Sequence, residues 1–424
     1  MDWTLIILLF AGCLYLISQN SDLNLKEKQI SLLFLAFKIV GGLAFYALYV
    51  FYYKVGDSLE FYQEGLIIEE ALTNDFRSGL YLLGTASGSC KALTAIWTDQ
   101  LIQRHFYDAD VFSFIKMVGV LLYFGGSTYY QLSLVFALIS FLICWLGIVE
   151  IKKTEKALSV NSLVLVLIIP SVLIWSSGVS KDNLTFSFGF LLVTLLYGAI
   201  KDGFKLRSIL MVLFSTIMLV FLKPIFLLII FVCFVLCVCL KRISCSLGSL
   251  LNIIFLFPLS LILLALGSYI LVYIYNAEVF EIIHSALQWN QLGQGSSFDI
   301  KINAYDSIYI FKYALSALIV GLFRPFLWEV EGSMMFFQAL ENMFLMGFAF
   351  LLFLRNPCGV ILKGFANNKA AWFLLFVGLT LLVGVGLSSF NFGALSRYRI
   401  LGLVCVVASG LVSVHQASSK YRTI

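Results

Sequence analysis

The sequence predicts an all-α, polytopic membrane helix bundle, and three observations carry that prediction. Of 424 residues, 61% are hydrophobic and only 12% charged, where an ordinary soluble domain carries about a quarter charged residues. Apolar runs on the order of 17 to 25 residues, long enough to span a bilayer core, recur from one end to the other. In hydrocarbon such segments must close their backbone hydrogen bonds internally, which selects helices. No stretch of ordinary polar composition is left over, so 1–424 reads as a single integral membrane domain.

The first apolar segment, WTLIILLFAGCLYLIS, has no basic residues before it and no small-residue cleavage site after it, so it reads as a retained helix and not as a signal peptide. Short basic loops pin the cytoplasmic side: Lys26 and Lys28, then Lys152, Lys153 and Lys156, then Lys201, Lys205 and Arg207, then Lys241 and Arg242. Arg355, Lys363 and Lys369, and the tail with Lys420 and Arg422, complete the set. Helices near 2–18, 31–53, 129–149, 159–176, 184–200, 208–222, 225–240, 248–276, 333–354, 370–387 and 399–415 then give about eleven crossings, with the N-terminus outside. The apolar pieces 111–126, which contains Lys116, and 308–322, which contains Lys312, would each invert the parity of every later helix. They read as re-entrant or interfacial helices. No internal repeat is evident. Cysteines inside apolar runs behave as small hydrophobes, and Cys237 with Cys239 has neither the spacing nor the partners of a metal pair. The net charge of +5 reports orientation and gives no footprint for nucleic acid.

This layout gathers the polar motifs on one outer face: a first outer loop over 54–110 with amphipathic helices, and a second large loop over 277–332. In GDSLEFYQEGLIIEEAL, Asp57, Glu60 and Glu64 recur on one helical face, which predicts an amphipathic helix at the membrane surface. Asp57 there is a candidate base or simply part of a capping box with Glu60. The turn SSGVSKD places Lys181 and Asp182 at a helix start. Ser180 is a candidate cap, and Lys181 a candidate anion ligand oriented by Asp182. FLKPIF puts Lys223 at the tip of a helix pair, either as a rim ligand or snorkelling to the interface.

GLFRPFLWEVEG, followed by QALENM, presents Arg324, Trp328 and Glu341. An Arg324–Glu341 ion pair holding the fold is the structural alternative to a ligand site. NFGALSRYRIL adds Arg397, Tyr398 and Arg399, and a guanidinium fork suits bidentate phosphate binding. The three histidines do not converge by spacing, no P-loop or dinucleotide fingerprint is present, and neither a metal nor another cofactor is expected.

PSVLIWSSGVSKD, FLKP, LFRPFLWE with QALEN, and NFGALSRYR before the final helix together resemble bacterial surface-polysaccharide proteins. The resemblance is to O-antigen and exopolysaccharide repeat-unit polymerases and, in layout, to GT-C membrane glycosyltransferases. It implies a GT-C-like fold in the bacterial inner membrane and a polyprenyl-pyrophosphate-linked glycan donor used on the periplasmic side. It allows membrane lipids and other polysaccharide-assembly proteins as partners. Asp57 fits the acidic residue that the GT-C pattern keeps in the first outer loop.

The chemistry of such a transfer needs cations for the leaving pyrophosphate and a carboxylate for the attacking hydroxyl. The candidate set is therefore Asp57 as base, with Lys181, Lys223, Arg324, Arg397 and Arg399 for pyrophosphate. Asp182, Glu341, Trp328 and Tyr398 support them, and Trp289 is a further candidate for stacking on sugar. Two other classes stay open: a flippase or transporter of lipid-linked oligosaccharide, and a non-catalytic assembly subunit.

Overall fold

A computed structural model describes residues 3–89, 95–98, 100–125, 128–156, 158–243, 259, 262, 309–355, 364–365, 368–389 and 391–421. Its elements are helical: α1 Thr4–Gln19, α2 Leu25–Ala47 continued by a π-helical turn Leu48–Tyr53, α3 Asp57–Asn74, α4 Phe76–Gly84, α5 Ala95–Thr98, α6 Gln103–Tyr107 and α7 Ala109–Gly125. There follow α8 Tyr129–Thr154, α9 Val160–Leu167, α10 Pro170–Trp175, α11 Lys181–Asp202, α12 Leu206–Leu222 and α13 Pro224–Ile243. The last group is α14 Tyr309–Phe323, α15 Ser333–Arg355, α16 Lys369–Ser388, α17 Phe392–Tyr398 and α18 Ile400–Tyr421.

Five spans among the described residues are long and apolar enough to cross a membrane: Leu25–Tyr53, Tyr129–Thr154, Lys181–Asp202, Ser333–Leu351 and Ala370–Ser388. Phe392–Tyr398 and Ile400–His415, bent by 48° against each other, make a sixth if they count as one span. This is a helical membrane protein. The described residues thus carry five or six of the eleven crossings expected, and the shortfall has identifiable causes. The expected helix over 159–176 is broken into α9 and α10. Pro170 opens α10, where its missing N–H costs nothing, but its ring cannot continue the preceding helix. Helices α1 and α12 are apolar but have 16 and 17 residues; at 1.5 Å per residue they reach about 24 to 26 Å, short of a core of about 30 Å. The expected helix 248–276, Trp289 and most of the loop 277–332 lie outside the described residues.

The chain divides into two compact units. Unit 1 comprises Met1–Lys153, Ser159–Leu195 and Leu206–Pro224. Here the helix expected from the acidic motif forms with the expected start. It does more than lie on a surface: Phe61, Glu64, Ile68 and Leu72 are buried, and α3 packs along α7. Small residues set that approach. A Cβ on Gly65 would come within 2.5 Å of Val118, and one on Gly119 within 2.6 Å of Ile68, so any larger residue would force the helices apart. At the basic end, Asn24 and Glu27 form a reciprocal capping box, and Glu27 also pairs with Lys152 at 2.7 Å.

Unit 2 comprises Thr154–Leu158, Leu196–Lys205 and Ile225–Ile424. Helix α16 packs between α14 and α18; a Cβ on Gly378 would sit 2.8 Å from the Gly402 carbonyl. A buried polar knot fastens its start. Glu155 accepts hydrogen bonds from Tyr197, from Lys201 at 2.5 Å and from Asn368 at 2.9 Å, while Asn368 also caps α16 through the Ala370 N–H. With a cation and two neutral donors, the carboxylate has the partners that make its burial tolerable.

Candidate functional site

In unit 1 the site is built around the turn from Ser176 to Asp182. Lys38, fully buried in α2, donates to Ser140 Oγ at 2.7 Å and to Ser176 O and Oγ at 2.6 and 2.7 Å. Ser58 Oγ donates to Val179 O, and Asn183 Nδ2 donates to Gly178 O. Ser180 accepts from the Asn183 N–H at 3.1 Å, so it is the helix cap that the sequence suggests. Gly178 lies against Phe45, where a Cβ would overlap the ring at 2.0 Å. Polar bonds from three helices and one glycine contact therefore fix where α11 begins, and with it the direction in which Lys181 and Asp182 leave the turn.

The pairing of those charges differs from the expected one. Asp182 does not orient Lys181; it accepts from Lys223 Nζ at 2.6 Å. Lys181 instead faces Asp110 at the start of α7, 4.0 Å away. Burial raises the Asp110 pKa, opposed by Lys181, reinforced by Asp108 and opposed again by Lys223. Two lysines and two aspartates thus form one compensated cluster. Sequence order could not assign the partners, because Asp110 and Lys223 both lie far along the chain from the turn.

Asp57 is the first residue of α3 and is exposed. The residue before the helix is Gly56, with φ at 124°. The positive φ at Gly56, following Lys54 at 60°, turns the chain into the helix. Because the neighbouring Ser58 bonds Val179 O, Asp57 is tied by a single residue to the turn that carries Lys181.

Sequence reasoning missed a second cluster in this unit. His105 Nδ1 lies 2.5 Å from Glu64 Oε2, and its Nε2 lies 3.4 Å from Glu60 Oε2. Glu64 also accepts the Ile102 N–H at 2.8 Å. Burial raises the Glu64 pKa, against hydrogen bonds from His105 and Ile102. The acidic periodicity of α3 was the available signal, but nothing in the sequence names its histidine. Among the described residues no group of three His, Cys, Asp or Glu side chains is placed to hold a metal ion.

In unit 2 the arginines take different roles. Arg324 bonds Glu329, through Nε at 2.8 Å and through Nη2. Glu329 uses its second oxygen to accept the Phe326 N–H, so the Arg324–Glu329 loop is closed on itself. Arg399 is 1% exposed. Its Nη1 donates to Arg324 O at 2.9 Å and its Nη2 to Asn342 Oδ1 at 2.6 Å, while Asn342 Nδ2 donates to the Phe323 and Pro325 carbonyls. Two arms of the Arg399 fork, which the sequence assigns to pyrophosphate, are thus engaged within the fold, on the Arg324 carbonyl and the Asn342 side chain. Glu341 contributes a favourable charge to Arg399 and accepts a 3.5 Å bond from Gln338. Arg397 is half-buried, with Nε on Gly393 O at 3.3 Å and its guanidinium 5.8 Å from the Tyr398 ring. Trp328 is 81% exposed and stacks on Phe326 with ring centres 4.7 Å apart.

The fold and these clusters define a helical membrane protein with buried, internally paired charges. No family model, curated protein or solved structure matches the chain.

Proposed function

We propose that the protein is a membrane glycosyltransferase of the repeat-unit polymerase type. In this reading it uses a polyprenyl-pyrophosphate-linked glycan on the periplasmic face of a bacterial inner membrane, within a GT-C-like bundle. The observation that carries the reading is the Ser176–Asp182 turn, which joins an exposed helix-start carboxylate, Asp57, to a cluster with two lysines. In this mechanism Asp57 accepts the proton of the attacking sugar hydroxyl, and Lys181 and Lys223 exchange carboxylate partners for the phosphate oxygens of the leaving group.

The test is reconstitution in liposomes with a lipid-linked glycan. Elongation of the glycan that is lost in Asp57→Asn supports the assignment; wild-type product lengths in that variant overturn Asp57 as the base.

One observation favours a transporter as the second reading. Lys38 sits near the middle of the Leu25–Tyr53 span, the depth at which a transporter holds its charges. Movement of the glycan between leaflets without elongation would select it. Neither movement nor elongation would leave a non-catalytic assembly role.

A further inference from the structure

Unit 1 contains an apolar crevice of about 400 Å³, inside the range of about 300–1,000 Å³ typical of small-ligand sites. Val120, Phe136, Phe188, Phe214 and Met218 are among its walls, and Lys116 is the charged residue that lines it. The crevice shares three helices with the ionic cluster. On α7 Asp110 precedes Lys116 by under two turns, on α11 Lys181 precedes Leu184 by about one turn, and Lys223 follows Met218 of α12 by under two turns. An apolar chain site and a charged end therefore lie along the same helices.

Lys116 differs from the lysines of that cluster. Lys181 and Lys223 each have a carboxylate, whereas Lys116 donates to Thr85 O at 2.5 Å and lies 4.4 Å from the centre of the Phe112 ring. Among the described residues no carboxylate reaches it within ion-pair distance. Burial lowers its pKa, and no acidic neighbour offsets the shift. A cation in an apolar wall without a counter-charge is costly, and an anionic ligand removes that cost.

We propose that this crevice holds the phosphate-proximal part of the isoprenoid chain of a polyprenyl phosphate, with Lys116 on the lipid's phosphate. The proposal rests on the glycosyltransferase reading and names where its donor lipid lies. The apolar walls suit a hydrocarbon chain, and Lys116, the charged residue among the lining side chains, suits a phosphate end. It accounts for both features with one amphiphile, whose head then lies toward the cluster of Lys181 and Lys223.

The full-length protein, purified in detergent, is titrated with undecaprenyl phosphate and bound lipid is counted by native mass spectrometry. The wild type is expected to retain the probe. Lys116→Gln removes the charge and Val120→Trp fills the crevice, and each is expected to weaken binding about tenfold, the loss of one charge-assisted contact or of chain burial. Size-exclusion behaviour and helical circular dichroism identify a variant that fails to fold, and the other variant then decides. Unchanged affinity in the folded variants overturns the crevice. Equal retention of phosphatidylglycerol, or displacement by it, also overturns the assignment, since the crevice is then a general anionic-lipid site. Binding lost in both variants alongside absent liposome elongation by the wild type sinks the glycosyltransferase reading and not the crevice; robust elongation by both variants with unaltered affinity does the reverse.

Discussion

The two cation clusters solve the same electrostatic problem in opposite ways. In unit 1 the lysines sit on carboxylates, Lys181 on Asp110 and Lys223 on Asp182, around a turn fixed by neutral hydrogen bonds. In unit 2 the most buried cation, Arg399, is held by a backbone carbonyl and an asparagine amide, with Glu341 acting only through its field. A lysine presents a compact charge and pairs with a single acceptor, while a guanidinium fork can bridge two acceptors and organise a loop. The comparison separates exchangeable cations from structural ones: an ion pair at a helix end can trade its carboxylate for a phosphate, but a guanidinium built into a backbone cradle cannot leave without opening the loop.

The largest expected effect breaks the structural side of that comparison. Arg399→Met strands Arg324 O and Asn342 Oδ1 in a buried setting, at about 1–3 kcal/mol for each lost partner, so thermal unfolding in detergent should move to markedly lower temperature. Arg399→Lys keeps the charge but cannot bridge both acceptors, and an intermediate loss is expected. Full stability in Arg399→Lys would show that charge and not the fork is what matters there.

Lys223→Met tests the exchangeable side. Removing one member of a part-buried pair leaves Asp182 without its cation, with a cost that reaches about 3–5 kcal/mol for fully buried pairs and is smaller here because both side chains keep some exposure. The double variant Lys223→Met with Asp182→Leu should recover most of the loss. A double variant as unstable as the single one would mean that the pair is not the coupled unit.

Arg324→Lys sharpens the contrast within unit 2. It retains a charge for Glu329 but not the two donors that meet one oxygen, so a loss of about 1 kcal/mol is expected, measured again by thermal unfolding. Asp57→Asn should be smallest in stability: the residue is exposed, and asparagine keeps its shape and an acceptor oxygen at the helix start. Unfolding should be unchanged while elongation is abolished, and a variant that also unfolds early would place Asp57 among the structural residues.

Some of this was legible from spacing. The start of α3 at Asp57, the position of Lys223 between two apolar helices and Ser180 as a cap follow from local rules about periodicity, proline and capping, and the structure has them. Long-range pairing was not legible. Asp182 stands beside Lys181 in sequence yet accepts from Lys223, 41 residues away, a pairing that sequence distance does not foresee once helices bring remote segments together. No local signal in the sequence singles out Lys38 in α2, and only the approach of α8 and the Ser176 turn reveals what satisfies it.

By itself the sequence determined that the chain is a helical membrane protein, because 61% hydrophobic residues in long runs leave the backbone no way to satisfy its polar groups in lipid except within helices. It also set the starts of α3 at Asp57 and of α11 beside its Ser180 cap, since periodicity and capping act through immediate neighbours. The tertiary structure alone decided which charges meet, which arginine is spent on the fold and which lysine is left facing an apolar crevice. The physical reason is range: hydrogen-bonded capping and helix periodicity act over a few residues, whereas the energy of a buried charge depends on whatever the packed helices place within about 4 Å of it.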